Sequence, residues 1–360
     1  MKRLLYRLLL LTNLLAVAAL LISFLSVHIN PGVTVIPAFF GLAFPYILLL
    51  NIIFMLIWAV KLKPEALISL AVILMGFTHL SNYIKIKKPG EDKSATIKVI
   101  SYNVHLFNNL ATKKPGSSEK PIIDFLKEQQ PDIICLQELY FQGSPANKES
   151  EIRAAFGGRY RVHMKVLEAG RNRYTGIITL SRLPVISRGE IIHPGSAGLS
   201  VYTDVLAGDD TIRIYNNHLQ SFRLMSMEKT LLEEITASDN QETINNILNI
   251  SGSLKQGFVK RAAQAGVLKD HINSSPWPVI VAGDFNDTPV SYSYRKIRRG
   301  LKDSFVTSGY GAGFTYKDKY PPNRIDYILY SEFFESKSFE IKKLRYSDHY
   351  PVIAWLGKAD

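Results

Sequence analysis

The chain has 360 residues, 43 Lys and Arg against 31 Asp and Glu, and a single cysteine, for a formal charge of +12. One thiol excludes an intramolecular disulfide framework and any multi-cysteine zinc centre. Residues 1–90 hold eight Lys/Arg and one Glu, so the remaining 270 carry only +5, which fits an anionic substrate but is no strong nucleic-acid footprint.

Leu8 to Leu25 is almost wholly apolar and comes after Lys2, Arg3 and Arg7. Ile36 to Val60 is a second apolar run of about 25 residues, long enough to span a bilayer with some tilt. Pro37 and Pro45 lie in its first half, where membrane helices tolerate proline better than soluble ones do. A third run, Ala66 to about Tyr83, ends polar at Thr78, His79, Ser81 and Asn82. Residues 1–88 are therefore expected to form a membrane anchor with two to three transmembrane helices, about 8–25, 36–60 and 66–83, with the lipid bilayer as partner. The basic-loop rule keeps Lys2, Arg3, Arg7, Lys61 and Lys63 in the cytoplasm. Three spans then place the rest of the chain outside it, in the periplasm or at the cell surface. Reading Met1 to Ala18 as a signal peptide cleaved at Ala16-Val17-Ala18 leads to the same side.

Residues 89–95 read as a polar linker. Ile97 to Val104 has strand composition, and Lys113 to Ser118 is a loop. Glu119 to Gln129 reads as a helix with Ile122, Ile123, Phe125 and Leu126 on one face. Ile133 to Leu136 is a buried strand, which makes Cys135 an inert core thiol. Further strands are expected at Tyr160–Val166, Gly176–Ser181, Val201–Leu206, Thr211–Asn216, Val279–Ala282, Arg324–Tyr330 and Val352–Leu356, with Gly208-Asp209-Asp210 as a hairpin turn. Ser221 to Ile272 is the exception, a helical excursion with breaks marked at Asn240 and Ser251-Gly252-Ser253. Strands outnumber helices and recur with short spacers, so an α+β sandwich is expected rather than a doubly wound sheet.

The strand Val279–Ala282 stops at Gly283 and is succeeded by Asp284 and Asn286. Residues two apart in an extended segment point to one side, and two hard oxygen donors suit Mg²⁺. A strand closed by an Asp/Asn/Pro turn is the alternative. Other strand ends carry similar residues: Asn103, Gln137-Glu138, Asn217-His218, Asp326 and Asp348-His349. Each alone reads equally as a cap or turn residue, and Asp326 has Arg324 as another partner. Together they are carboxylates, carboxamides and two histidines, without cysteine, on strand ends.

The motifs Ser101-Tyr102-Asn103-Val104, Leu136-Gln137-Glu138, Gly176 to Arg182, Asn217-His218-Leu219, Gly283-Asp284-Phe285-Asn286, Arg324 to Ile328 and Ser347-Asp348-His349-Tyr350-Pro351 succeed one another in this order. In this the sequence resembles the metal-dependent endonuclease/exonuclease/phosphatase superfamily, over residues 96–357. The resemblance implies a four-layer sandwich of two mainly antiparallel sheets flanked by helices, with the excursion at about 221–272 inserted in it. It implies Glu138 as the main Mg²⁺ ligand, helped by Asn103 and Asp348, with Mn²⁺ as a substitute. Asp284 and Asn286 would place the attacking water, or a second metal, and the phosphate. His349, oriented by Asp326, would be the general base or a phosphate-stabilising cation, and His218 would bind a phosphate oxygen or serve the leaving group.

Outlying cations are weighed separately. Arg182 is a candidate phosphate contact, with a surface arginine as the alternative. Arg261, with Gln264, is a candidate reaching the site from a helix, although a solvated Lys260-Arg261 face is the favoured reading. Arg171, Arg173 and Tyr174 read first as a basic loop. The absence of a Gly-rich Lys-Ser/Thr phosphate loop argues against an NTPase. The expected substrate is a phosphate ester, in nucleic acid or a lipid head group, and the expected activity a Mg²⁺-dependent phosphodiesterase, nuclease-like in kind. A sphingomyelinase-type phospholipase, using Leu224-Met225-Ser226-Met227 against the bilayer, is one alternative. A catalytically inactive binding module is another, and the competent residues at every matched position disfavour it.

Overall fold

The computed structural model describes residues 2–88, 96–108, 116–221, 240–317 and 323–359. The expected linker at 89–95, Lys113 to Pro115 and the Leu224-Met225-Ser226-Met227 run lie outside them. The chain divides into two compact units: Met1–Leu80 with Gln220–Ala265 and Asp287–Lys296, and Ser81–Leu219 with Gly266–Asn286 and Ile297–Asp360.

The first unit is helical. It opens with α1 (Lys2–Leu25), α2 (Ile36–Leu42), α3 (Phe44–Val60), α4 (Ala66–Met75) and α5 (Phe77–Leu80). Among the described residues α1 is the one unbroken helix long and apolar enough to cross a membrane. The expected span 36–60 is instead bent by 70° between α2 and α3. Pro45, in the first turn of α3, has no N–H to continue the ladder and its ring displaces the turn before it. The third run is also interrupted, with α4 ending at Met75 before Gly76. Polar side chains tie the helices together. Asn13 Nδ2 donates to Ser69 Oγ (2.7 Å), Trp58 Nε1 to Asn13 Oδ1 (2.9 Å) and Asn51 Nδ2 to Ala16 O (2.9 Å). Within the same unit the Phe39 ring meets Phe258 edge-on at 5.3 Å, and Ser26 Oγ donates to Val290 O at 2.7 Å. A Cβ on Gly41 would lie 2.4 Å from that carbonyl, so only glycine permits this approach.

The second unit holds the strands: β1 (Ile84–Lys85), β2 (Thr96–Asn103), β3 (Ile133–Gln142), β4 (Arg161–Gly170), β5 (Arg173–Ser181), β6 (Val185–Ile191), β7 (Leu199–Ala207), β8 (Asp210–His218), β9 (Val279–Asp284), β10 (Lys302–Asp303), β11 (Gly311–Ala312), β12 (Asp326–Tyr330), β13 (Phe334–Ile341) and β14 (Val352–Lys358). One six-stranded sheet has the order β10-β12-β9-β8-β7-β6, the other β13-β14-β2-β3-β5-β4, and β1 pairs with β11. Each six-stranded sheet contains one parallel pair, β8–β9 or β2–β3, among antiparallel neighbours. The strands β6 and β13, not expected from sequence, are sheet edges rich in Ser, Lys, Arg and Glu, as edges that avoid further pairing are.

Both faces of each sheet are covered, which is why the central strands read as continuous apolar runs. Val99, Ile133 and Val352 of one sheet pack on Ile214, Ile280 and Ile328 of the other. On the outer face of the β13-β14-β2-β3-β5-β4 sheet lie α6 (Glu119–Gln129) and α7 (Pro145–Ala155), through Ile122, Leu126 and Ile152. Each such side chain contributes roughly 1.5–3 kcal/mol when fully buried. The last turns of α8 (Asn240–Asn273) belong to this unit too, where His271 Nδ1 lies 2.9 Å from Tyr215 Oη on β8. The four-layer α+β sandwich expected from the sequence is the fold of this unit. One expectation is corrected: α8 runs unbroken through Ser251-Gly252-Ser253. An interior glycine costs a helix only about 1 kcal/mol, too little to end one of this length.

Candidate active site

Strand register gathers the polar strand ends. In the first sheet β9 lies between β12 and β8, so Asp326 and His218 are both direct neighbours of Asp284. In the second sheet β2 ends beside the middle of β3, which runs on past the expected Leu136 to Gln142, with Asn103 opposite Gln137. A bulge between Leu136 and Leu139 then interrupts β3 and throws Glu138 out of the alternation. Asp348 and His349 arrive in the turn before β14, fastened by Ser347 Oγ, which donates to Asn103 O at 2.8 Å.

The side chains meet. Asn103 Nδ2 donates to Asp284 Oδ2 (2.9 Å) and Glu138 Oε1 (3.1 Å). His349 Nδ1 is hydrogen-bonded to Asp326 Oδ2 (2.9 Å), and its Nε2 is 3.8 Å from Asp284 Oδ2. His218 Nε2 lies 3.3 Å from Glu138 Oε1 and 3.9 Å from Asp284 Oδ2. The backbone N–H of Asn286 donates to Asp284 Oδ1 (2.7 Å), and its side-chain nitrogen donates to Leu219 O (2.9 Å). Thr315, which no sequence motif marks, accepts the N–H groups of both Ile325 and Asp326 at 3.1 Å on Oγ1 and so holds the start of β12.

Burial and crowding set the charges. Burial pushes Asp284 up to about 6, with Asp326 adding to the rise and His349 and His218 opposing it. Burial also raises Asp348, against the pull of His349 and His105. For Glu138 burial acts upward, but His218, His349 and the Asn103 amide outweigh it and hold the carboxyl at about 2. His349 is burial-penalised yet held well above the usual histidine range by Asp326 and Asp284, and His218, penalised in the same way, is raised by Glu138. Backbone strain collects here as well. His105, Glu138 and Asn286 all have left-handed φ of 46°, 54° and 52°, conformations that L-residues adopt at a cost and that cluster at functional sites.

Seven of the expected site residues thus share one cluster, Asn103, Glu138, His218, Asp284, Asp326, Asp348 and His349, with Asn286 on the turn behind Asp284. Arg182 does not join them. It comes after Ser181, which pairs with Ile133 at one end of that ladder, whereas Glu138 lies five residues further along β3 at the bulge, roughly 16 Å away at about 3.3 Å per residue. Its guanidinium donates to Gln130 O instead. Because β5 runs antiparallel to β3, its C-terminal end faces away from the site. Arg324 pairs with Asp303, leaving Asp326 to His349. Arg261 is not on a solvated face: in the helical unit it is fully buried, 3.2 Å from Asp287 Oδ2, and donates to Gln220 O. Arg171 and Arg173 are exposed at the β4–β5 turn, while Tyr174 stacks on Phe141 at 5.4 Å. Cys135 is buried, its thiol pushed up to about 12.

A family model described as Endonuclease/Exonuclease/phosphatase family matches residues 100–349. The chain belongs to the endonuclease/exonuclease/phosphatase family. It is an enzyme that hydrolyses phosphoric esters. A second model, a domain of unknown function (DUF8431), matches residues 6–83. No curated protein matches the chain. Among solved structures, the family's protein from Bacteroides vulgatus is 17% identical with a TM-score of 0.54, over 73% of this chain and 99% of that one. The family protein from Leptotrichia buccalis C-1013-b is 16% identical with a TM-score of 0.52, over 72% and 99%. D. rerio TDP2 complexed with a single-strand DNA product is 18% identical with a TM-score of 0.51, over 74% and 100%. At these identities the likeness establishes the fold.

Enzymes of the endonuclease/exonuclease/phosphatase family depend on a divalent metal, and the residues present fit one. Ligand-type atoms of Glu138, His218 and Asp284 all lie within 4.8 Å of one another, and so do those of Asp284, Asp326 and His349. Carboxylate oxygens, the donors hard cations favour, come from Glu138, Asp284 and Asp326. Four carboxylates share this buried space, so their repulsion favours binding a cation.

Proposed function

We propose that the chain is a Mg²⁺-dependent phosphodiesterase with nuclease-like activity, in which water attacks phosphorus in line. The observation that carries this reading is His349 held between two carboxylates, Asp326 on Nδ1 and Asp284 beside Nε2, within reach of the Asn103–Glu138 pair. Glu138, Asn103 and Asp348 would hold the cation, with Mn²⁺ as a substitute. When bound, it neutralises charge developing on the phosphoryl oxygens and helps align the displacement.

The chain's own residues divide the remaining work. Asp284, with its pKa lifted to about 6, stands near neutral pH, where a base both is ionised and accepts a proton well. It takes the proton of the attacking water, and the Asn286 N–H fixes its other oxygen. His349 is raised well above its usual range, so it is an imidazolium at neutral pH and serves as the phosphate-stabilising cation rather than the base. Asp326 locks its tautomer and ring plane. His218, also raised, stands across Asp284 and serves the leaving oxygen.

The same reading makes residues 1–88 a membrane anchor and residues 96–357 the catalytic domain, outside the cytoplasm. Lys2, Arg3, Arg7, Lys61 and Lys63 stay inside, and the run 66–83 makes the third crossing. That crossing rests on a short helix, α4, broken at Gly76. A reporter active only in the cytoplasm, fused after Asp360, should stay silent, and a working reporter would place the domain inside. The activity is tested with the full chain in detergent, Mg²⁺, and a panel of DNA, RNA, sphingomyelin and phosphate monoesters, beside Glu138→Gln. Mg²⁺-dependent cleavage of nucleic acid supports the proposal. Cleavage of sphingomyelin alone favours the phospholipase alternative, and no turnover on any substrate leaves only a binding module.

A further inference from the structure

Directly after Asn103 the backbone does something costly. His105, Leu106 and Phe107 succeed one another with φ of 46°, 56° and 55°, three consecutive side-chain-bearing residues in the left-handed region. No glycine eases the segment, although L-residues resist this conformation and rarely adopt it in succession. The run is over-determined from both sides. His105 N donates to Asn103 Oδ1 (3.0 Å), Phe107 N to Val104 O (2.8 Å), and Ser118 N to Phe107 O (2.9 Å), while the Phe107 ring is buried in the core beneath.

The strained run turns the His105 ring back over the end of β2 and the bulge of β3. Its Nδ1 lies 3.1 Å from Asp348 Oδ2 and 3.9 Å from Glu138 Oε2. The other oxygen of Asp348 lies 3.2 Å from Ser347 Oγ, whose one hydrogen goes to the nearer Asn103 O at 2.8 Å. The imidazole is therefore the main hold on Asp348, and its neighbour Glu138 faces the same ring. Continued as an ordinary strand, β2 would carry residue 105 onward past its end, away from both carboxylates.

We propose that His105 is a positioning residue for the metal centre: the left-handed run exists to set its imidazole against Asp348 and Glu138 and so fix the two carboxylates for the cation. This rests on the proposed metal-dependent function and adds to it a residue that no sequence motif pointed to. Partners that orient metal-binding carboxylates in this way usually affect metal affinity by about 10- to 100-fold.

Three forms of the full chain in detergent test it, by calorimetric titration with Mn²⁺ and by thermal unfolding without metal. His105→Gly removes the ring and relieves the backbone. Its Tm should stay or rise while Mn²⁺ affinity falls by about 10- to 100-fold. His105→Asn keeps a polar nitrogen near the position of Nδ1, and Asn tolerates left-handed φ best after Gly, so its affinity should stay close to wild type. His105→Gly with wild-type affinity would overturn the inference. So would His105→Gly with a lowered Tm, which marks a merely structural residue, or His105→Asn as weak as His105→Gly. A wild-type chain that takes up no Mn²⁺ contradicts the proposed function itself, and the inference with it.

Discussion

Buried polar side chains are used in two opposite ways in this molecule. In the helical unit Asn13, Ser69 and Trp58 form a closed set in which donors meet acceptors, without charge and with ordinary helical backbone around them. In the strand-end site four carboxylates and three imidazoles share one buried space, several with displaced protonation and two on left-handed backbone. The first arrangement is complete as it stands and holds helices together. The second keeps several carboxylates close together on strained backbone, the kind of arrangement that suits binding a cation. A completed network marks architecture, and a crowded and strained one marks chemistry.

Substitutions should separate the two. The largest effect is expected from His349→Ala, which should lower kcat by about 10²- to 10³-fold on any substrate turned over. Its Tm should fall as well, because Asp326 is left buried without its cation, whereas His349→Gln, which can still hydrogen-bond Asp326, should recover Tm but not kcat. Recovery of both in His349→Gln would place His349 among the architectural residues. Next comes Arg261→Ala, which leaves Asp287 buried without its cation and should cost about 3–5 kcal/mol in thermal unfolding. Arg261→Met combined with Asp287→Leu should recover most of that loss, as expected for a matched pair. If the double variant is no better than the single one, the pair is not matched and the contrast between the two regions weakens.

The site is readable from sequence where strand register does the gathering. Asp284, Asp326 and His218 end neighbouring strands, and the pairing of β9 with β12 and β8 sets them side by side. Arg182 misleads because a strand end seen locally does not say which end of the sheet it reaches, and β5 runs antiparallel to β3. His105 is silent in the sequence because only a left-handed run of residues without glycine brings its ring back, and nothing in His-Leu-Phe signals that. Arg261 reads as solvated because a Lys-Arg pair on a helix looks like a charged face, and its partner Asp287 is 26 positions away. The apolar run 36–60 reads as one straight helix because a proline is compatible with a membrane helix, and the 70° bend at the α2–α3 break is what the sequence does not announce.

Smaller effects are expected from buried histidines elsewhere in the strand-rich unit. His163 and His193 are buried, each against a hydroxyl at 2.8 Å, and burial lowers both to about 4 from 6.5. A lowered histidine pKa means the unfolded chain takes up the proton first. The stability is therefore full above about 6.5 and is lost as pH falls toward 4, by about 2 kcal/mol per histidine at pH 5. Replacing both with Gln should flatten the fall in Tm between pH 6.5 and 5, and an unchanged slope would show that they are not buried neutral groups. The smallest change is expected from Asn13→Leu, about 1 kcal/mol in an SDS-unfolding titration with kcat unaltered. A loss of activity there would break the division between the two regions.

If water activated at Asp284 attacks phosphorus in a metal-dependent site, its oxygen must end in the phosphate. Turnover of a phosphodiester by the full chain in H₂¹⁸O, with and without Mg²⁺, followed by mass spectrometry of both products, tests this. One ¹⁸O is expected in the phosphate-bearing product, only with Mg²⁺ present and lost in Asp284→Asn. Label in the alcohol, or label in the phosphate that persists without divalent metal or in Asp284→Asn, would contradict it.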